Sequence, residues 1–174
     1  AAQEKVLIKK IDVTGVEALS PNTIRSIVSP YEGKELSLED FGTIAQAITD
    51  AYREEGYVTS IAYLPPQKIT ENTLKLDVLE GKIGSIKWEG NKYFSTWLLS
   101  SYLDMKKGDI FNYDTLRKDI TTINSHPDRN VRVVLGRGEE RGESDINMFV
   151  NDQLPLHMTL GYNNYNSRYL FRNR

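Results

Sequence analysis

Residues 11–48 read IDVTGVEALSPNTIRSIVSPYEGKELSLEDFGTIAQAI, and residues 86–123 read IKWEGNKYFSTWLLSSYLDMKKGDIFNYDTLRKDITTI. At an offset of 75, Ile11, Val13, Gly15, Leu19, Ile24, Gly33, Leu36, Phe41 and Ile48 fall on Ile86, Trp88, Gly90, Phe94, Leu99, Gly108, Phe111, Leu116 and Ile123. Every apolar position meets an apolar position, and both glycines meet glycines. Farther along the offset drops to 72, so Leu74, Leu76 and Val78 meet Ile146, Met148 and Val150. A three-residue deletion accounts for the slip, with Pro127-Asp128 standing where the first copy has Tyr52–Gly56. An unbroken series of this kind marks a duplicated structural unit. Two copies fill residues 6–152.

Each copy predicts the order β-α-α-β-β. In the first, Val6, Ile8, Ile11 and Val13 form a strand that Gly15 ends. Ser20-Pro21 is an N-cap followed by proline at the first helical position, opening a helix with Ile24, Ile27 and Val28. Ser37-Leu38-Glu39-Asp40 opens a second helix, with acids in the first turn and a stripe of Phe41, Ile44, Ala45, Ile48 and Tyr52 at helical spacing. Gly56 stops it. Val58, Ile61 and Tyr63 make the next strand, closed by Pro65-Pro66. Leu74, Leu76 and Val78 alternate with Lys75 and Asp77, the pattern of a half-buried strand. In the second copy Ile83, Ile86 and Trp88 form the strand. Ser95 caps a helix bearing Leu98, Leu99, Tyr102 and Leu103, and Leu116, Ile120 and Ile123 mark the next. Val131–Leu135 and Ile146–Val150 are the closing hairpin, with Gly136-Arg137-Gly138 as its turn. The fold class is α+β, twice, with units at residues 1–81 and 82–152.

Composition narrows the function. The 174 residues carry 22 Lys+Arg against 24 Asp+Glu, a formal charge of −2 that disfavours a polyanion-binding surface. With no cysteine, disulfide frameworks, thiolate metal sites and cysteine nucleophiles are excluded. His126 and His157 are the only histidines, and each stands alone, without metal-ligand spacing around it. No nucleophile elbow or Ser/His/Asp arrangement occurs, so no enzyme is predicted, nor any cofactor or metal. A KH-type nucleic-acid module shares a β-α-α-β core but needs a basic G-x-x-G loop between its helices. Here Pro30-Tyr31-Glu32-Gly33-Lys34 and Met105-Lys106-Lys107-Gly108-Asp109 hold one glycine each.

The two ends are informative as sequence. Ala1-Ala2 reads equally as a mature terminus after signal cleavage and as a cloning junction. In residues 153–174, Leu154, Leu156, Met158, Leu160 and Tyr162 are apolar at every second position. This dyad fits the first strand of a transmembrane β-barrel, with Tyr162, Tyr165 and Tyr169 near an aromatic girdle; it also fits an amphipathic strand packed on the second unit. The chain ends at Arg174 as if cut from something longer.

Several motifs converge on one family. Gly56-Tyr57-Val58-Thr59 with Ala62-Tyr63-Leu64-Pro65-Pro66-Gln67, and the link Val78-Leu79-Glu80-Gly81-Lys82-Ile83-Gly84, are two of them. Pro127-Asp128-Arg129 with Val131, then Leu154-Pro155-Leu156 and Leu160-Gly161-Tyr162-Asn163-Asn164-Tyr165, are the others. Together they resemble the tandem polypeptide-transport-associated (POTRA) domains of the Omp85 superfamily. The match is closer to the two-partner secretion transporters of the hemolysin secretion/activation (ShlB/FhaC) type. The resemblance covers essentially the whole chain. It implies the periplasmic part of a bacterial outer-membrane protein that passes an unfolded secreted partner, a TpsA-type exoprotein, to its own C-terminal β-barrel. It further implies that the polypeptide engages the first unit at its first helix and second core strand. In this sequence those positions are Arg25, Ser26 and Ser29 on the helix and Thr59, Ile61 and Tyr63 on the strand. The alternative within the superfamily is an outer-membrane assembly factor that inserts barrels. The plug helix and linker common at the N-terminus of such transporters have no counterpart before Val6.

Overall fold

A computed structural model describes residues 5–69 and 71–161. The elements run β1 (Val6–Ile8), β2 (Lys10–Thr14), α1 (Pro21–Val28), a 3-10 turn (Ser29–Tyr31), β3 (Lys34–Leu36) and α2 (Leu38–Glu54). They continue β4 (Ile61–Tyr63), β5 (Thr73–Leu79), β6 (Lys82–Glu89), α3 (Thr96–Ser100), α4 (Tyr113–Asn124), β7 (Arg129–Arg137) and β8 (Glu143–Asp152). Two three-stranded sheets result, ordered β2-β5-β4 and β6-β8-β7. In each the first strand in sequence lies parallel to the last, and the remaining one pairs antiparallel with that last strand.

The repeat visible in the sequence is also a repeat of register. Ile11 sits opposite Leu74 and Val13 opposite Leu76; their images Ile86 and Trp88 sit opposite Ile146 and Met148. Gly15 and Gly90 both have positive φ, +77° and +89°. A Cβ at either would run into the carbonyl oxygen of Val78 or Val150 respectively, so close backbone approach requires glycine at both. The residues expected to make one opening strand make two. β1 pairs with β3 and β2 with β5, and the chain breaks between them where Lys9 donates its N–H to Asn72 O at 2.8 Å. In the second unit the β1–β3 pair survives as a single bridge, Lys82 to Ile110, the image of Leu7 opposite Glu35.

Caps locate the helices. Ser20 Oγ accepts the N–H of Thr23, and Pro21 occupies the first helical position. Ser37 and Asp40 form a reciprocal capping box: Asp40 N–H donates to Ser37 Oγ at 3.3 Å and Ser37 N–H to Asp40 Oδ2 at 2.8 Å. Those bonds from Ser37 hold the Asp40 carboxyl below its ordinary pKa. Ser95 and Asn112 cap α3 and α4 one way, each side chain accepting an N–H, of Leu98 and Thr115 respectively. α3 is only five residues long, so Tyr102 and Leu103 lie in the turn beyond it while still packing on the second core. The hairpin turn also falls later than Gly136, which pairs with Asp145 inside β7. Each unit has its own core. Ile44, Ile48, Tyr52, Leu74 and Leu76 are wholly buried in the first, and Ile83, Leu99, Phe111, Ile123 and Met148 in the second. Residues 153–161 form no strand, and Leu154 to Leu160 are exposed at the apolar positions; Tyr162, Tyr165 and Tyr169 lie outside the described residues.

Candidate functional site

An open sheet edge is where a folded domain can accept an extended chain, because its outward N–H and C=O groups can extend the ladder. The first sheet has two edges, β2 and β4. β4 is short and covered by α2: the N–H of Ala62, its central residue, donates to Thr49 Oγ1 on that helix at 2.9 Å. β2 is different. Between it and α1 runs a groove of about 560 Å³ whose floor is Ile11, Val13, Val16, Ile24 and Val28. Lys9, Lys10 and Arg25 form its rim, all exposed, and Glu32 is the one acid.

The six residues singled out from the sequence fall on opposite edges. Arg25, Ser26 and Ser29 are exposed on or at the end of α1; of the three only Arg25 lines the groove beside β2, and Ser26 Oγ donates to Thr23 O at 2.7 Å. Ile61 and Tyr63 are the two ends of β4, whereas Val58 and Thr59, expected on the same strand, lie in the turn before it. Thr59 is partly buried against Gly81, so tightly that a Cβ there would collide with its side chain. Ile61 is 45% exposed, and Tyr63 has the Arg141 guanidinium of the second unit 5.9 Å from its ring centre. Helix α1 and strand β4 therefore do not share one surface. The residues that complete the α1 side, Lys9, Lys10 and Glu32, carry no periodicity. What distinguishes them is the repeat itself: their images are Gly84, Ser85 and Lys107, none conservative.

A carboxylate collar lies at the end of each closing strand, buried in the first unit and half-exposed in the second. Glu80 Oε1 accepts the N–H groups of Glu17 and Ala18, both at 2.8 Å, and the hydroxyl of Tyr52 at 2.6 Å. Burial first, and then that bond to Glu80, push the Tyr52 phenol well above its ordinary pKa. In the second unit Asp152 Oδ2 accepts from Lys92, Tyr93 and Phe94, at 3.0, 2.9 and 3.0 Å. The two histidines, which stand apart in sequence, both face one buried aspartate. His157 Nε2 lies 2.7 Å from Asp128 Oδ1 and His126 Nδ1 3.8 Å from Oδ2. Gln153 also reaches Asp128, through side chain and backbone. The arrangement ties the segment leaving β8 to the start of β7.

Family comparison agrees with this geometry. A model of ShlB-type POTRA domains matches residues 6–81, and a POTRA model described as a surface antigen variable number repeat matches residues 82–130. The chain is a tandem of POTRA domains, the first of them of the ShlB type. A relative is the heme/hemopexin transporter protein HuxB of Haemophilus influenzae, 29% identical over 95% of this chain and 31% of its own length. The outer membrane transporter CdiB of Escherichia coli is 24% identical over 90% of this chain and 26% of its own. The tandem thus spans roughly a third or less of the curated relatives it matches. Among solved structures, CdiB from Escherichia coli superposes with a TM-score of 0.79 at 23% identity, covering 87% of this chain and 28% of that one. The N-terminal domain of Omp85 from Thermosynechococcus elongatus gives 0.73 at 18% identity, over 84% of this chain and 66% of that one. Both likenesses are of fold. POTRA domains form the periplasmic part of outer-membrane transporters, and this tandem is periplasmic. The relatives are transporters, not enzymes.

Proposed function

We propose that this POTRA tandem receives an unfolded exoprotein of the two-partner secretion type and hands it to a β-barrel on the same polypeptide. Residues 1–81 and 82–152 are then its two POTRA domains, and 153–174 the start of that barrel. Neither domain acts as an enzyme. The observation that carries this reading is the ShlB-type match over residues 6–81, joined to relatives named as outer-membrane transporters. Those names favour secretion over the barrel-assembly alternative.

The mode of capture is strand addition on the first domain, with weak affinity so that the cargo moves on. Main-chain hydrogen bonds tolerate varied sequences, and a shallow apolar groove biases the choice. The receiving edge is β2, with Arg25 of α1 lining its groove and Ser26 and Ser29 exposed on the same helix or at its end. Thr59, Ile61 and Tyr63 offer the second, narrower edge at β4. The test is binding of an unfolded N-terminal fragment of the exported partner to the 174-residue chain, measured by titration calorimetry. A dissociation constant of about 1–100 µM is expected, in the range of weak transient contacts. No binding, or equal binding of an unrelated unfolded chain of the same charge, would defeat the proposal. Ile61→Pro, which places proline on an edge strand, separates the two edges: it weakens binding only if β4 takes part.

A further inference from the structure

The first outward backbone group on the receiving edge is already occupied. The N–H of Ile11, on β2, donates to Glu32 Oε1 at 3.0 Å. In a parallel strand the N–H and C=O of one residue face the same neighbour, and those of the next residue face the other side. The N–H of Ile11 goes to a side chain, not to β5, so Ile11 and Val13 are the residues that address the open edge. The Glu32 carboxylate therefore sits where the carbonyl oxygen of an added strand would sit. It also stands in the α1–β2 groove among the rim cations Lys9, Lys10 and Arg25.

The fold does not need this carboxylate. The equivalent residue of the second domain is Lys107, at the same place before a positive-φ glycine, Gly108 in one copy and Gly33 in the other. The rim cations are missing there too, replaced by Gly84, Ser85 and Ser100. Acid and cations thus occur together in one domain and not in the other. That pairing is expected of a site and its occupant.

We propose that Glu32 is a built-in competitor for the β2 edge, displaced when an extended segment bearing acidic side chains adds to the sheet. The occupant is a stretch of secreted polypeptide with apolar residues at every second position, to fill the groove, and aspartate or glutamate between them, to meet Lys9, Lys10 and Arg25. This rests on the reading that the first domain receives polypeptide. Glu32 would then act as a threshold: it blunts the sheet edge against casual pairing and yields to a segment that brings both a carbonyl and negative charge.

The probe is a capped ten-residue peptide alternating valine with aspartate and glutamate, with a control carrying lysine at the acidic positions. Wild-type chain should bind the acidic peptide about tenfold more tightly than the basic one, and addition of salt should erode the difference. Glu32→Ala should tighten binding of the acidic peptide by about threefold to tenfold, since a hydrogen bond that competes is gone. Glu32→Gln, which keeps an acceptor, should fall between. In ¹H–¹⁵N spectra of the wild-type chain the Ile11 and Val13 amides should move most. Val13→Pro should weaken binding at least tenfold; if that variant does not fold, the wild-type amide shifts and Glu32→Ala decide alone. Unchanged or weaker binding by Glu32→Ala, or still amides at Ile11 and Val13, overturns the proposal. If the exported partner's fragment binds while those amides stay still, the secretion reading stands and the Glu32 proposal falls. If the peptide behaves as expected and the partner's fragment does not bind, the reverse holds.

Discussion

The two POTRA domains share a skeleton and differ in what they do with it. The shared parts are backbone features, sheet order and register and the glycine that lets the first strand pass a carbonyl oxygen, together with one side-chain feature, the carboxylate collar at the last strand. The differences are side chains hung on that frame. Where the first domain buries Ile44 in its second helix, the second buries Asp119, which accepts the N–H of Asp104 at 2.9 Å. The shorter α3 leaves that N–H outside any helix, and a charged acceptor replaces apolar packing to satisfy it. Where the first domain anchors its collar from inside through Tyr52, the second has lost that residue in the deletion and holds Asp152 from the surface. In its place Arg129 is buried between the rings of Phe94 and Tyr102, 5.2 and 4.5 Å from their centres. The first domain keeps a larger apolar core and an open, charged groove; the second trades apolar volume for polar joints. A binding domain and a joint domain are what this contrast describes.

The hardest test of that division is to break each core separately. Ile48 and Ile123 are images of each other and both fully buried. Ile48→Ala and Ile123→Ala should each cost about 2–5 kcal/mol, the range for deleting buried methylenes. Both tryptophans, Trp88 and Trp97, lie in the second domain, so tryptophan emission reports that domain alone. In urea, Ile123→Ala should lower the emission midpoint, and Ile48→Ala should lower only the far-UV circular dichroism midpoint. If Ile48→Ala moved the emission midpoint equally, the domains would unfold as one unit and the contrast would lose its meaning.

A smaller effect is expected at the collars. Glu80→Ala strands two backbone N–H groups and the Tyr52 hydroxyl in the interior, and should cost about 2–4 kcal/mol. Asp152→Ala leaves its donors nearer water and should cost about 1 kcal/mol. The two collars also respond to pH in opposite directions. The folded-state pKa of Tyr52 is raised, so its contribution is complete below the unfolded value of about 10 and is lost as pH climbs above that. Burial raises the pKa of Asp152, but the N–H groups of Phe94, Lys92 and Tyr93 together outweigh burial and bring it below the ordinary value. Its contribution is complete above the unfolded value of about 3.9 and is lost as pH falls through the lowered one. Base should therefore loosen the first domain while tryptophan emission stays native, and acid should change the emission first. Emission that changes in base before circular dichroism does would contradict this.

Much of this was legible before any coordinates. Apolar spacing and matched glycines imply the duplication, the helices and most of the strands, because core packing and positive φ constrain residue type strongly. The six residues taken from family resemblance were located on two edges, and sequence spacing could not reveal that separation: which edge a helix covers depends on sheet order. Glu32, Asp128 and Glu80 were also invisible as a set. Their partners are backbone groups or distant side chains, such as Ile11, His157 and Tyr52, and no local pattern records a hydrogen bond made across 21, 29 or 28 residues. The one usable signal was disagreement between the copies. Glu32 against Lys107 and Ile44 against Asp119 are places where a fold-driven position would have kept its chemistry and did not.

The subtlest expected effect concerns the joint between the domains. Asn112 serves both: its Oδ1 accepts the N–H of Thr115 at 3.0 Å, capping α4, and its Nδ2 donates to Glu55 O at 2.9 Å, at the C-terminal end of α2. The N–H of Tyr113 adds a bond to Gly56 O at 2.8 Å. The end of one long helix is thus sewn to the start of the other. Asn112→Asp separates the two roles, because a carboxylate still caps α4 but cannot donate, and it sets negative charge against the negative end of the α2 dipole. The second domain's own stability should hold, while the coupling between domains weakens by about 1 kcal/mol. Amide ¹⁵N relaxation reads this directly: in the wild-type chain both domains should tumble with one correlation time, and in Asn112→Asp with two shorter ones. Asn112→Ala, which loses the cap as well, should show both the loosened tumbling and an earlier emission midpoint. Should Asn112→Asp tumble as the wild type does, the joint would rest on other contacts, Gly142 against Leu79 and the Arg141 guanidinium over the Tyr63 ring being the first to examine.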